Sequence, residues 1–275
     1  MNKPFKIHGN CDKRCPKHAL LIGFESLKTN HALPTQLLPK TQLTMKSTAL
    51  LLLTWLWSIS TMTALAQEMD NNSTAMPNDD PYTANMLVGI GIMDKAMSAK
   101  ELSQAATFFE HMTEERPADW LPPYYAAYCY VTMAFIEKSS TERDAWLDQA
   151  QTYIDIALRI DTRNPELMVV QAYNYMIRTA IDPLNRMEEY GTMAVLTLEE
   201  VQKIDPNNPR AYYLQAQNLF FATESQGGGL GKACPLARTA AQKYQLHPSA
   251  PKDIQPKWGA AMTDYMCQIC QQVGQ

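Results

Sequence analysis

Histidine, basic clusters and strand-type alternation are scarce or missing after residue 66, the part of the chain that we expect to be mature. Two histidines occur there, His111 and His247, in segments predicted to lie far apart. A histidine-rich catalytic zinc site is therefore excluded, and a Ser/His/Asp triad has few candidate members. No cluster of Lys and Arg occurs there either, which argues against nucleic acid and anionic membrane surfaces as partners.

A secretory signal is predicted at residues 45–66. A basic start at Met45 and Lys46 is followed by an apolar run over residues 49–57 and by small residues at Ala64 and Ala66. This order is typical of a signal peptide cleaved after Ala66. A retained membrane anchor is the alternative, but the apolar run is shorter than the roughly 20 residues of a membrane span. We expect the protein in the periplasm or outside the cell.

The signal divides the chain into four parts. Residues 1–44 show no helical or strand period, and we expect this upstream extension to be untranslated or disordered. Residues 67–81 are polar and acidic, as in a flexible leader, and residues 82–275 form the predicted helical domain. Without residues 1–66, Lys+Arg fall from 24 to 16 and Asp+Glu from 28 to 26, so the mature chain carries a net charge near −10.

Helix-start signals recur along the predicted domain. Ser98 and Glu101 form a capping box, and an Asn-Pro or Asp-Pro pair occurs at residues 164–165, 182–183 and 208–209. Apolar residues recur at spacings of three and four, and the alternation of strands is absent. The sequence therefore predicts an all-α fold with about nine helices between residues 82 and 273.

An internal repeat organises these helices. Residues 160–165 and 204–209 correspond at a period of 44, and each is followed seven residues later by an alanine, Ala172 or Ala216. Small residues also recur in the intervening helices, at positions that advance by 45, 44 and 39 residues. These are Ala105, Ala150, Ala194 and Ala233. Small side chains let paired helices approach closely, and each pair needs a neighbour to cover its apolar face.

The repeat resembles the tetratricopeptide family, whose unit is an antiparallel helix pair with small residues where the helices touch. The resemblance implies an α-solenoid of stacked pairs, and Trp258 with Tyr265 suggests a further first helix at the C-terminus. The family's unit is shorter, at 34 residues. The excess here is expected at residues 136–143, 178–186 and 222–229. A helical bundle without this stacking is the alternative fold.

The resemblance also implies a concave groove, lined by the first helix of each pair, in which ligands bind. Carried over position by position, it selects as binding residues four tyrosines, an asparagine and a glutamine: Tyr124, Tyr128, Tyr173, Asn174, Tyr213 and Gln217. Tyrosine offers apolar area and a hydroxyl at low entropic cost, which suits peptide recognition. The alternative is that these side chains are core.

Four cysteines follow the predicted cleavage site, and two disulfides with three connectivities are conceivable. We expect a structural bridge from Cys234 to either Cys267 or Cys270, and a buried thiol at Cys129. A redox role for the Cys-x-x-Cys pair is disfavoured because no strand precedes it. The glycine-rich residues 227–233 lack the hydroxyl residue of a phosphate-binding loop and predict a turn.

No constellation of residues indicates catalysis, a metal site or a cofactor. The main hypothesis is a non-catalytic scaffold that binds a protein or peptide partner in the groove. The alternative is a small-molecule-binding component that delivers a solute to a membrane transporter.

Overall fold

The computed structural model describes residues 80–222, 224, 227–246, 250 and 252–274. Within these residues nine helices of 13 to 21 residues and no strand occur, so the predicted all-α fold and helix number are confirmed. The bounds are α1 Pro81–Lys95, α2 Ala99–Glu115, α3 Leu121–Ile136, α4 Ser140–Ile160, α5 Pro165–Ile181, the one-turn α6 Pro183–Arg186, α7 Thr192–Ile204, α8 Pro209–Phe221, α9 Leu230–Leu246 and α10 Ala260–Gln272. The predicted upstream extension and signal, and all of the predicted leader except its last two residues, lie outside the described residues.

The helices form a stack of pairs. Helix α3 packs along α4, α5 along α7 and α8 along α9, while α2 covers α3 and α10 covers α9. The first helices α3, α5 and α8 lie side by side in chain order. Of the helices described, none has the length and apolar content that a bilayer span requires.

Side-chain caps fix several helix starts. The Asn164 and Asn208 side chains accept hydrogen bonds from backbone N–H groups two residues on, and a proline follows each at the first helical position. Ser98 accepts from the Glu101 N–H as the capping box predicts. Ser139 caps helix α4 by accepting from the Glu142 N–H. These caps satisfy N–H groups that have no partner inside the helix.

The repeated alanines lie at helix contacts, as expected from their size. All six are at most 2% exposed: Ala105, Ala150, Ala172, Ala194, Ala216 and Ala233. A larger side chain at these positions would push apart helices that pack in ridge-and-groove contact.

A buried ion pair joins equivalent positions of two successive units. Glu166 and Arg210 each follow the proline that opens α5 and α8, and they are 44 residues apart. Arg210 Nε donates to Glu166 Oε2 at 2.6 Å, and Asn208 Nδ2 donates to Glu166 Oε1 at the same distance. Burial alone would lower the pKa of the Arg210 guanidinium, but the Glu166 carboxylate outweighs this and raises it.

At the insertion expected at residues 178–186, the chain forms a modified start of α7. After α6 the chain makes a π-helical turn, Met187–Gly191, that continues into α7. Arg186 Nη1 donates to Asp144 Oδ1 at 2.7 Å and ties this start to α4. At the site expected at residues 136–143, only three residues separate α3 from α4, so the excess there lies in the 21-residue length of α4. The site expected at residues 222–229 matches the connection between α8 and α9.

A disulfide joins the last two helices. Cys234 on α9 is bonded to Cys270 on α10, with a Cα–Cα distance of 5.7 Å. Cys267 is a half-buried free thiol and Cys129 is a buried one. Of the two partners that the sequence left open for Cys234, the fold brings Cys270 into reach.

Candidate functional site

The groove tyrosines of the first helices are brought together, but as packed residues. Tyr124 is 0% exposed, Tyr173 and Tyr213 are 6% exposed each, and Tyr128 is half-buried. Burial raises the pKa of all four hydroxyls above the usual value near 10. The four phenols are therefore neutral at physiological pH.

Trp258 covers this tyrosine cluster. Its ring stacks on Tyr128 at a centroid distance of 4.8 Å and on Tyr173 at 5.9 Å, and it meets Tyr213 edge-on at 6.1 Å. Its Nε1–H donates to the Tyr124 hydroxyl at 2.7 Å. One side chain thus contacts groove tyrosines from all three first helices.

Trp258 belongs to a non-helical segment, residues 253–259, which we call the strap. Three of its backbone carbonyls accept hydrogen bonds from the helices: Ile254 from Tyr125, Pro256 from Arg210 and Trp258 from Tyr244. The distances are 2.7, 3.0 and 2.8 Å. The expectation of an open groove is corrected here, because the chain's own strap lies where a bound peptide was expected.

The placement of Trp258 also corrects the expected C-terminal first helix. That helix, α10, begins at Ala260 and contains Tyr265 but not Trp258. The sequence carries a local signal that Trp258 is not helical: Pro256 and Gly259 flank the tryptophan, and both residue types disfavour helix. Gly259 has φ +96°, and a Cβ there would lie 2.2 Å from the Tyr244 hydroxyl. Only glycine fits this path.

The two polar groove candidates have different roles. Asn174 is fully buried, donates to the Leu147 carbonyl at 2.9 Å and accepts from Arg178, so it ties α5 to α4 instead of facing a ligand. Gln217 is 5% exposed, and its Oε1 has no hydrogen-bond partner among the described residues. Gln217 follows Tyr213 by one helical turn, on the side of α8 that carries the tyrosine.

Beside the tyrosines, the first helices present further apolar side chains that are half-buried. We call this set the aromatic face; it consists of Tyr128, Phe135, Met176 and Phe220. Their spacings of three, four or seven residues from groove tyrosines place them on the same helix sides. Seven residues rise about 10 Å, and packed helices lie about 8–10 Å apart. The face therefore extends about 10 Å along the helices and crosses all three first helices.

A cavity of about 480 Å³ lies beside the strap. Its strap side is lined by Asp253, Gln255, Pro256 and Lys257, and the helices contribute mainly polar side chains. The helix-side residues are Asp205, Asn207, Pro209, Arg210, Tyr244 and Ala260. The strap thus borders a cavity whose wall also includes Arg210 and Tyr244, the side chains that donate to its carbonyls.

The described residues assemble little that would support acid–base or metal chemistry. The carboxyl groups with a shifted pKa are Glu101, Glu137 and Asp144, and hydrogen bonds from backbone N–H groups or from Arg186 lower all three. No group of three or more His, Cys, Asp or Glu side chains that could hold a metal occurs in this part of the chain. The glycine-rich segment is a turn, with positive φ at Gly227 and Gly229.

Comparison with known proteins gives a structural neighbour. The fold matches the HusA haemophore from Porphyromonas gingivalis with a TM-score of 0.64 and 26% sequence identity. The match covers 73% of this chain and 98% of the haemophore. No family model and no curated protein matches the chain by sequence. This similarity favours the small-molecule-binding alternative over the protein-binding scaffold.

Proposed function

We propose that this protein is an exported, non-catalytic carrier of a flat, largely apolar small molecule of the haem class. The observation that carries the proposal is the similarity to a haemophore along 98% of that protein's length. The signal-type sequence at residues 45–66 and the Cys234–Cys270 disulfide support an oxidising compartment outside the cytoplasm. The partner is then a membrane transporter or receptor that takes over the ligand.

The aromatic face supplies the binding surface in this proposal. Small-molecule sites combine apolar and aromatic walls with a few polar groups that orient the ligand. Here Tyr128, Phe135, Met176 and Phe220 form the apolar wall, and the free Oε1 of Gln217 is available as an acceptor. The occupied groove argues against a peptide as the ligand, because the strap already makes the backbone contacts that a peptide would make.

The test is a titration of the purified protein with haemin, followed by visible absorbance. We expect saturable binding, and we expect the double substitution Phe135→Ala/Phe220→Ala to weaken it at least tenfold. A buried phenylalanine contributes about 1.5–3 kcal/mol, so even a partial loss of two gives this factor.

The matched control is Phe108→Ala, which removes a half-buried phenylalanine from α2, outside the aromatic face. It should leave haemin affinity unchanged. If the folded wild type does not bind haemin, the proposal is wrong. If Phe108→Ala weakens binding as much as the double substitution, the site assignment is wrong.

A further inference from the structure

Trp258 of the strap covers Tyr128, a ring of the aromatic face. Trp258 stacks on Tyr128 and Tyr173, which are the tyrosines at the centre of the three first helices. A flat ligand gains most from stacking on these rings, since aromatic pairs contribute beyond the area they bury. The indole and the ligand cannot occupy this place together.

The attachments of the strap are few and separable. Among the described residues, four hydrogen bonds hold residues 254–258 to helices α3, α8 and α9: three to backbone carbonyls and one from the Trp258 Nε1–H to Tyr124. The Gly259 carbonyl accepts from Thr263 of α10. Lys257 donates to the Ala250 carbonyl and so bonds to the segment before the strap, outside the helices. Because the strap is not part of a helix, it can leave without melting one.

A cavity borders the strap, and Gly259 marks the C-terminal end of the strap. The 480 Å³ cavity borders four strap residues, and none of the groove tyrosines lines it. At the C-terminal end, Gly259 with φ +96° caps α10, and the disulfide from Cys270 to Cys234 fixes α10 on α9. A rotation at Gly259 would therefore move the strap and leave α10 in place.

From this arrangement we infer that the strap is a gate: Trp258 occupies the tyrosine cluster in the empty protein and leaves it when a flat ligand binds. The inference rests on the proposed function. It makes Trp258 a competitor of the ligand instead of part of the binding surface, and the two roles predict changes of affinity with opposite sign.

The first experiment compares haemin affinity in wild type and Trp258→Ala. A gate predicts that the variant binds about tenfold more tightly, because no indole has to be displaced. Weaker or unchanged binding by a folded variant would overturn the gate while leaving the carrier function intact. If neither protein binds haemin, the proposed function fails and the gate with it. Trp146→Phe on α4, a tryptophan outside the strap, is the control and should not change affinity.

A second variant keeps the packing, in case Trp258→Ala does not fold. Tyr124→Phe removes only the hydroxyl that accepts from the indole, and a gate predicts a roughly two- to tenfold gain in haemin affinity from the loss of one hydrogen bond. No gain, or a loss, contradicts the gate.

Limited trypsin digestion reports the movement itself. Lys257 precedes Trp258 and is half-buried. Haemin should speed cleavage after Lys257 several-fold, as measured by mass spectrometry, and leave cleavage after the exposed Lys203 on α7 unchanged. Slower or unchanged cleavage after Lys257 with haemin bound would show that the strap stays closed.

Discussion

Replacing Glu166 by alanine tests whether the ion pair between α5 and α8 holds the stacked units together. The Arg210 and Glu166 side chains are 11% and 15% exposed, so water cannot replace the lost carboxylate efficiently. In Glu166→Ala, the Pro256 carbonyl is the acceptor that remains to Arg210 among the described residues. Asn208 Nδ2 also loses the carboxylate to which it donates. Removing one partner of a buried pair costs about 3–5 kcal/mol, because the other charge stays buried.

The assay is urea unfolding followed by circular dichroism. With a dependence on urea of about 2 kcal/mol per molar, the midpoint should fall by about 1.5–2.5 M. Two comparisons separate charge burial from a general loss of contacts. Lys203→Ala breaks an exposed pair with Glu200 and should cost under about 0.5 kcal/mol. The double substitution Glu166→Leu/Arg210→Met removes both charges and should recover most of the lost stability.

A loss below about 1 kcal/mol in Glu166→Ala would refute the reasoning. It would mean that Arg210 finds water or another acceptor, and that apolar packing alone holds α5 beside α8. Failure of the double variant to recover stability would instead mean that the Arg210 bond to the Pro256 carbonyl contributes more than the ion pair.

Two further predictions concern the disulfide and the buried tyrosines. Cys234→Ser/Cys270→Ser opens a loop of 36 residues and should lower the free energy of unfolding by about 4 kcal/mol. Calorimetry should show this as a fall of about 8–16 °C in Tm, and Cys267→Ser should have little effect. Equal Tm values for the wild type and both variants would contradict this prediction. Burial raises the pKa of Tyr124 and Tyr173 well above the unfolded value near 10, so the native state holds these protons more tightly. Their contribution to stability is therefore complete below about pH 10 and is lost as the pH rises towards the folded pKa values. Urea unfolding at pH 8 to 11 should show a free energy of unfolding that falls above pH 10. A constant free energy of unfolding would contradict neutral, buried phenols.

The sequence by itself determined the helical architecture, because the signals involved are local. The Asn164 and Asn208 side chains reach N–H groups two residues away, and the following prolines have the backbone angle of a first helical turn. The alanines at a period near 44 keep their contact positions in every unit because the same close approach of helices recurs. Such features need no knowledge of the remote chain.

The site depended on contacts between distant parts of the chain, and these only the tertiary structure decided. Trp258 bonds to a residue 134 positions earlier, and Tyr125 bonds to the strap 129 positions later. Nothing in the local pattern around residue 258 specifies which surface its side chain covers. The sequence selected the tyrosines of the first helices, whereas the placement of the strap on them converted an expected open groove into a closed one.

Asn174 and the cysteines illustrate the same limit. The register of the repeat predicted that Asn174 lies in the groove beside Tyr173. A helix turns by about 100° per residue, so consecutive side chains point in different directions. Tyr173 lies in the groove, whereas Asn174 faces α4 and donates to the Leu147 carbonyl. Cys267 and Cys270 are three residues apart and equally plausible partners by spacing, and the rotation of α10 against α9 selects Cys270. Helix content followed from neighbours in sequence, and the orientation of each helix followed from packing against neighbours in space.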